Sequence, residues 1–267
     1  MDLSKSIGVQ MSDLYCLGKQ PANLAKIAKC VQAHDVLDLS RLPSVPAAFD
    51  WSQRDGDDFT YPMLANDRYG DCVFASACHQ ISTWSGQTGV QQALTDEDAT
   101  DAYHRFTGWS PAVLQSDRGA VMADVAERWS KGEPIAWHTL RAYVSVNAKN
   151  LALMSAAANL FGGLWTGWAL PVAWQGADIW TQRTNQADVW APGSWGGHAV
   201  HIVAASPKLW QVVTWGGLKP VETDAFPEYC DEAYALVSPG MWTALQGGLC
   251  PAGVDVQRLL DMFPVLG

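Results

Sequence analysis

The sequence predicts an α+β protein with two lobes, a mainly helical front half followed by an antiparallel, β-rich back half. Three observations predict it. From Cys72 to about residue 130, apolar residues recur at helical spacing. After Pro171 the pattern changes to short β-rich runs separated by turn residues. Helices and strands segregated along one chain, rather than alternating, mark an α+β arrangement.

The bulk numbers bound the function. The chain has 267 residues, 48% of them hydrophobic, enough to bury a large core. Charged residues make up 16% and tryptophans number 14, which suits a core, a concave site or an interface and argues against disorder. A formal net charge of −10 repels phosphate backbones, so no nucleic acid is expected as a partner. "MDLSKSIGVQMSDLYC" lacks a basic start followed by an apolar core, so no signal peptide is expected. The longest apolar stretch, residues 151 to 174, is broken by Asn159, two glycines, Thr166 and Pro171, and predicts a buried helix and strand with no membrane span. The location is left open, with a cytoplasmic or virion-associated protein expected. The six cysteines form no C-x-x-C pair, and reduced thiols are expected. No cofactor and no metal is implied.

The elements follow in order. In "ANLAKIAKCVQAHDVLDL", Leu24, Ile27, Val31 and Val36 lie near helical spacing, and Leu24, Ile27 and Val31 predict an apolar face that packs on the main domain. "RLPSVPAAFDW" then forces extended chain, so Pro43 to Pro46 is the expected boundary between an N-terminal arm (1–42) and the domain. From Cys72, residues Val73, Ala77, Ile81 and Trp84 form one helical face, with Gly86 as the expected stop. "LTDEDATDAYHRFTG" predicts a helix capped by Thr95; Asp96, Glu97 and Asp98 suit its first turn better than a metal site. "GAVMADVAERWSKG" predicts a third helix with Val121, Val125 and Trp129 on one face. "HAVHIVAAS", "LWQVVTWGG" and "EAYALVS" predict strands. There is no internal repeat.

Two residues stand out chemically. Cys72 follows Gly70-Asp71 and opens a helix, where unpaired backbone N–H groups favour the reactive thiolate. His198, in "GSWGGHAVHIVAAS", is framed by two glycines and followed by a β run that would hold its ring. The other histidines (His34, His79, His104, His138 and His201) lack that context, and strand alternation turns His201 away from His198. Each signal alone also suits a buried residue.

Four segments in order resemble papain-like cysteine peptidases. "VPAAFDWSQ" is similar to the P-x-x-x-D-W opening of the mature domain, with Asp50-Trp51 in register. "NDRYGDCVFAS" resembles the segment around the nucleophile. "LALMSAAANLFGGLWTGWAL" matches, more loosely, a helix and buried strand. "GGHAVHIVAAS…LWQVVTWGG" resembles the stretch carrying the catalytic histidine. The likeness spans residues 43 to 240. It implies a papain-like domain over 43–267, with a helical lobe at about 66–160, a β-rich lobe at about 161–240 and a C-terminal extension at 241–267. The arm would be propeptide-like.

The resemblance also implies roles. Cys72 would be the nucleophile and His198 its base, as a thiolate–imidazolium pair. Asn66 stands where the family has a glutamine and would donate to the oxyanion. Gly70, Asp71, Gly197 and Trp215 would line the substrate cleft, with Trp215 shielding the histidine. Trp165, Trp168, Trp174, Trp180 and Trp195 would line it too, or else fill the core. The family's orienting asparagine has no counterpart: alignment on Trp215-Gly216 puts Val213 there, with Thr214 next as a hydroxyl orienter. The family's tryptophan after the nucleophile is Val73, and its upstream cysteine is Tyr69. Cell-wall amidases of the CHAP type share the Cys-then-His order but fit "FDW" and "TWG" less well. The expected activity is hydrolysis of a peptide or protein substrate through an acyl-enzyme. The alternative is a weak or inactive papain-like scaffold serving a phage or bacterial assembly, with a virion or assembly partner.

Overall fold

The computed structural model describes residues 15–42 and 44–241. Pro43 of the expected boundary, the first residues of the arm, Cys250 and the expected C-terminal extension beyond Met241 lie outside the described residues.

The elements run in chain order as α1 (Leu24–Ile27), α2 (Ala33–Val36), β1 (Phe49–Asp50), β2 (Gln53–Arg54), β3 (Asp57–Asp58), α3 (Cys72–Thr88), α4 (Asp96–Thr107), α5 (Met122–Ser130), β4 (Ala142–Ser145), α6 (Leu151–Phe161), β5 (Leu164–Leu170), β6 (Gly196–Ala205), β7 (Leu209–Thr214), β8 (Gly217–Glu222), α7 (Phe226–Tyr229) and β9 (Cys230–Val237). Strands β4-β9-β5-β6-β7-β8, with β1 beside β6, make one antiparallel sheet, while β2 and β3 form a separate hairpin.

Side-chain alternation along the strands feeds two cores. On one face Trp165, Ala199, Tyr234 and Leu236 pack with α3, α4 and α5. On the other, Trp168, Val200, Ile202 and Val212 pack with α6, Trp174, Trp180 and Phe226. Packing therefore does not follow sequence order strictly: α6 and β4 belong with the sheet.

Three local expectations need correction. Gly86 does not stop α3, which runs to Thr88. Gly86 instead makes room for Phe59, whose Cζ would lie 2.4 Å from a Cβ there. The single apolar face of α3 is in fact burial on almost every side, because the helix is wedged between the sheet and α4. In the arm, Ile27 and Val31 pack against the two cores as expected, but Leu24 is 70% exposed, and the fully buried anchors are Ala33, Val36 and Leu37. The Gln32 amide donates to the carbonyls of Ile27 and Cys30, separating the two short helical turns. Thr95 does cap α4, its N–H and hydroxyl both donating to Asp98.

Candidate active site

Cys72 is the first residue of α3 and 1% exposed. The turn before it is tightly built. Leu64 and Ala65 both take positive φ, at 57° and 63°, which bends the chain so that Asn66 is buried beneath the helix start. The Asn66 side-chain Nδ2 lies 3.2 Å from Tyr69 O, 3.1 Å from Asp71 Oδ1 and 3.3 Å from Cys16 O, so its two hydrogens are shared among three acceptors. Asp71 is fully buried and its Oδ2 is unpartnered; burial pushes its carboxyl well above the usual range. The Gly70 N–H donates to both oxygens of Asp117 at 3.1 Å. Asp117 also accepts from the Tyr103 hydroxyl, which in turn accepts from Gly119 N–H.

His198 lies near the start of β6, and its Nε2 is 2.6 Å from Thr214 Oγ1. Val213, aligned with the family's asparagine, does not face the ring: it is paired with His201 and packs with Tyr61 and Val203. That register leaves Thr214 on the face of Val200 and His198, so no bulge is needed to aim it. Trp215 stacks on the imidazole with ring centroids 4.3 Å apart and planes at 15°. It reaches that position from a two-residue turn between β7 and β8 in which Trp215 has φ 45° and Gly216 φ 77°. A tryptophan at positive φ is a strained choice and marks the position as one the surroundings enforce.

The two halves meet at the sulfur. Backbone N–H groups of Ala199, next to His198, and of Gly18 point at the Cys72 thiol. No thiol–imidazole hydrogen bond is formed, and His198 Nδ1 has no partner. Burial pushes the Cys72 thiol up to about 11, against the pull of those two N–H groups. Burial, with a smaller contribution from His79, holds the His198 imidazole down at about 3. Both groups are therefore neutral, in place of the thiolate–imidazolium pair that the family likeness implies.

The chain's own segment 15–20 packs against this site. Tyr15 stacks on Trp215 with centroids 4.4 Å apart. Cys16 N–H donates to Asn66 O. Gly18 passes between Gly70 and Gly119 so closely that a Cβ on Gly18 would lie 1.8 Å from Gly70 O, and one on Gly119 1.6 Å from Gly18 O. Ala120 N–H donates to Gly18 O at 2.8 Å, Lys19 N–H to Gly197 O at 3.1 Å, and Gln20 N–H to Ala120 O at 2.9 Å. A peptide strand thus passes Cys72 and Gly197, held by backbone groups on either side.

Of the expected cleft residues, Gly70 and Gly197 touch this strand, Asp71 lies below it and Trp215 beside it. Trp165, Trp168, Trp174 and Trp180 are core side chains, so of the two expectations for them the core holds; Trp174 and Trp180 stack at 5.0 Å. Only Trp195 of that group is partly exposed, 5.5 Å from the Trp215 ring. Sequence reading missed Tyr103, Asp117, Gly119, Lys19, Asp231 and Glu232. Their residue types are ordinary and nothing local distinguishes them.

No protein-family model and no curated protein matches the sequence. Solved structures do match. Xylellain, a cysteine protease from Xylella fastidiosa, aligns with a TM-score of 0.59 at 12% identity, over 84% of this chain and 96% of that one. Procathepsin B S9 from Trypanosoma congolense aligns at 0.54 and 12% identity, over 86% and 88%. The digestive procathepsin L2 proteinase of Tenebrio molitor larval midgut aligns at 0.51 and 15% identity, over 89% and 82%. With helices preceding an antiparallel sheet, this chain has the fold of the papain-like cysteine proteases.

Proposed function

We propose that the protein is a papain-like cysteine peptidase or amidase, with Cys72 as nucleophile and His198 as base, held in a covered resting state by residues 15–20. The observation that carries the reading is the convergence at the start of α3. Cys72 stands at a helix N-terminus, the N–H of Ala199 reaches its sulfur, and the adjacent His198 ring is oriented by Thr214 and Trp215. With the segment displaced, His198 Nδ1 takes the thiol proton and the thiolate attacks a substrate carbonyl. The Cys72 backbone N–H and the Asn66 amide, which now engages Cys16 O, would hold the oxyanion. The imidazolium returns its proton to the leaving amine, and water then releases the acyl group.

The test is alkylation by iodoacetamide with adduct mapping, alongside digestion of a mixed peptide library. Cys72-specific labelling reduced in His198→Ala, and cleavage abolished by Cys72→Ala, support the reading. One observation favours the second reading, a silent scaffold for a phage or bacterial assembly: both reacting groups are buried and neutral. Absence of any cleavage, with Cys72 no more reactive than the buried Cys78, would establish that alternative.

A further inference from the structure

Asp71 stands directly before Cys72 and is fully buried, yet the ordinary reasons for a carboxyl at that place are missing. It occupies the N-cap position of α3, but its side chain makes no capping hydrogen bond. Its Oδ2 has no partner, and a buried polar atom in that state costs stability. It does not help the thiol either. Its negative charge works against ionisation of Cys72, and burial favours the neutral acid. Neither the helix nor the nucleophile accounts for the residue.

What Asp71 does hold is the Asn66 amide. Asp71 Oδ1 accepts from Asn66 Nδ2 at 3.1 Å, and both side chains are buried. Tyr69 O, 3.2 Å from the same nitrogen, is a second acceptor from the same turn. The turn is itself fixed: Tyr69 N–H donates to Ala65 O, and Gly70 N–H to Asp117. The third acceptor, Cys16 O at 3.3 Å, belongs to the strand that passes the site. An amide group is planar, so the acceptors in the turn set the direction in which it offers its remaining donor capacity. That direction is toward the strand.

We propose that Asp71 is a positioning residue: through its hydrogen bond to Asn66 it aims the amide at the oxygen of the reacting carbonyl, where Cys16 O now lies. The assignment rests on the peptidase reading. In the step it serves, a bond forms between the Cys72 sulfur and the carbonyl carbon, the π pair of the carbonyl moves onto its oxygen, and the Asn66 N–H holds the charge that develops there. Alkylation by iodoacetamide also forms a carbon–sulfur bond, but it expels iodide and puts no charge on a carbonyl oxygen. The two reactions of one sulfur therefore separate aiming of the amide from any general effect on the helix start or the thiol.

The test uses the full chain, as wild type and in the Gly18→Ala background. Asp71→Leu keeps the side-chain volume and removes the acceptor, while Asp71→Asn keeps an acceptor. Asp71→Leu is expected to lower kcat on a cleaved peptide by about 10- to 100-fold with KM little changed, somewhat less than the loss on deleting an oxyanion donor outright. Alkylation of Cys72 should not fall, and Asp71→Asn should recover most of the turnover. Asp71→Leu/Asn66→Ala should be no slower than Asn66→Ala alone, because a residue that acts through Asn66 then has nothing to aim. If Asp71→Leu does not fold, Asp71→Ala carries the same comparisons. Parent turnover without the acceptor, no recovery in Asp71→Asn, a double variant slower than Asn66→Ala, or a parallel fall in alkylation each overturns the role and leaves the peptidase reading standing. No Cys72-dependent cleavage by wild type or Gly18→Ala overturns both.

Discussion

The imidazole Nε2 of His198 lies 2.6 Å from the Thr214 hydroxyl oxygen, while its Nδ1 has no partner at all. If Nε2 carries the proton and donates it to Thr214, Nδ1 presents a bare lone pair, as a base requires. In the proposed mechanism a hydroxyl then stands where the family likeness implies an orienting amide carbonyl. Thr214→Val keeps the shape and removes the acceptor. Turnover is expected to fall by about 10- to 100-fold with KM little changed, within the range of general-base contributions. Thr214→Ser should recover most of it, and Cys72→Ala should abolish it. Wild-type turnover in Thr214→Val would remove Thr214 from the site.

Gly18 threads a gap that a single methyl group closes, since its Cβ would lie 1.8 Å from Gly70 O. Gly18→Ala in the full chain should lift the segment off Cys72 and raise its alkylation rate at least tenfold. The buried Cys78 is the internal control and should not change. An unchanged Cys72 rate would mean that the segment is not what shields the thiol.

Acid should destabilise the fold. His79, His198 and His201 are held down by burial at about 4, 3 and 3, against an ordinary 6.5. Below pH 6.5 the unfolded chain therefore binds protons that the folded chain refuses. Their contribution is full above 6.5 and is lost toward pH 3, at about 1.4 kcal/mol per pH unit for each group. Asp71 and Glu232 act in the opposite sense, because burial raises both carboxyls and the folded chain holds their protons. Three imidazoles against two carboxyls leave a net loss, roughly 1–3 kcal/mol between pH 7 and pH 5. Urea denaturation at the two pH values measures it, and His201→Gln should flatten the slope. Equal or greater stability at pH 5 contradicts the assignment.

Trp180 is fully buried, parallel to Trp174 at 7° and 6.1 Å from Trp215. Trp180→Ala should cost about 3–5 kcal/mol, the usual penalty for emptying an aromatic core site. Trp137 is 80% exposed, and Trp137→Ala should change stability by less than about 0.5 kcal/mol. Denaturation midpoints of the two variants make the comparison; similar values would mean that the tryptophan cluster is not a core.

Much of the molecule was legible from local pattern. Gly70-Asp71-Cys72 marked the start of α3, "LALMSAAANLFGGLWTGWAL" the α6–β5 pair, and the β-rich runs the strands β6, β7 and β9. Periodicity records which side chains are buried, and burial is what drives those elements to form. Strand β8 was missed, because "GLKPVE" carries a proline and a lysine and is only partly buried along most of its length. Thr214 was identified, but its direction was not, since that depends on the register His201↔Val213 and not on residue type. The covering strand was invisible for a similar reason: its bonds to Gly197 and Ala120 use backbone groups that every such residue has. Lys19 Nζ lies 2.9 Å from Asp231 Oδ2 across 212 positions, and no local signal relates them. Composition and spacing establish what must be buried and where helices and strands begin. Tertiary packing alone selects which backbone groups pair across the cleft, because those partners are chemically alike until the fold brings particular ones together.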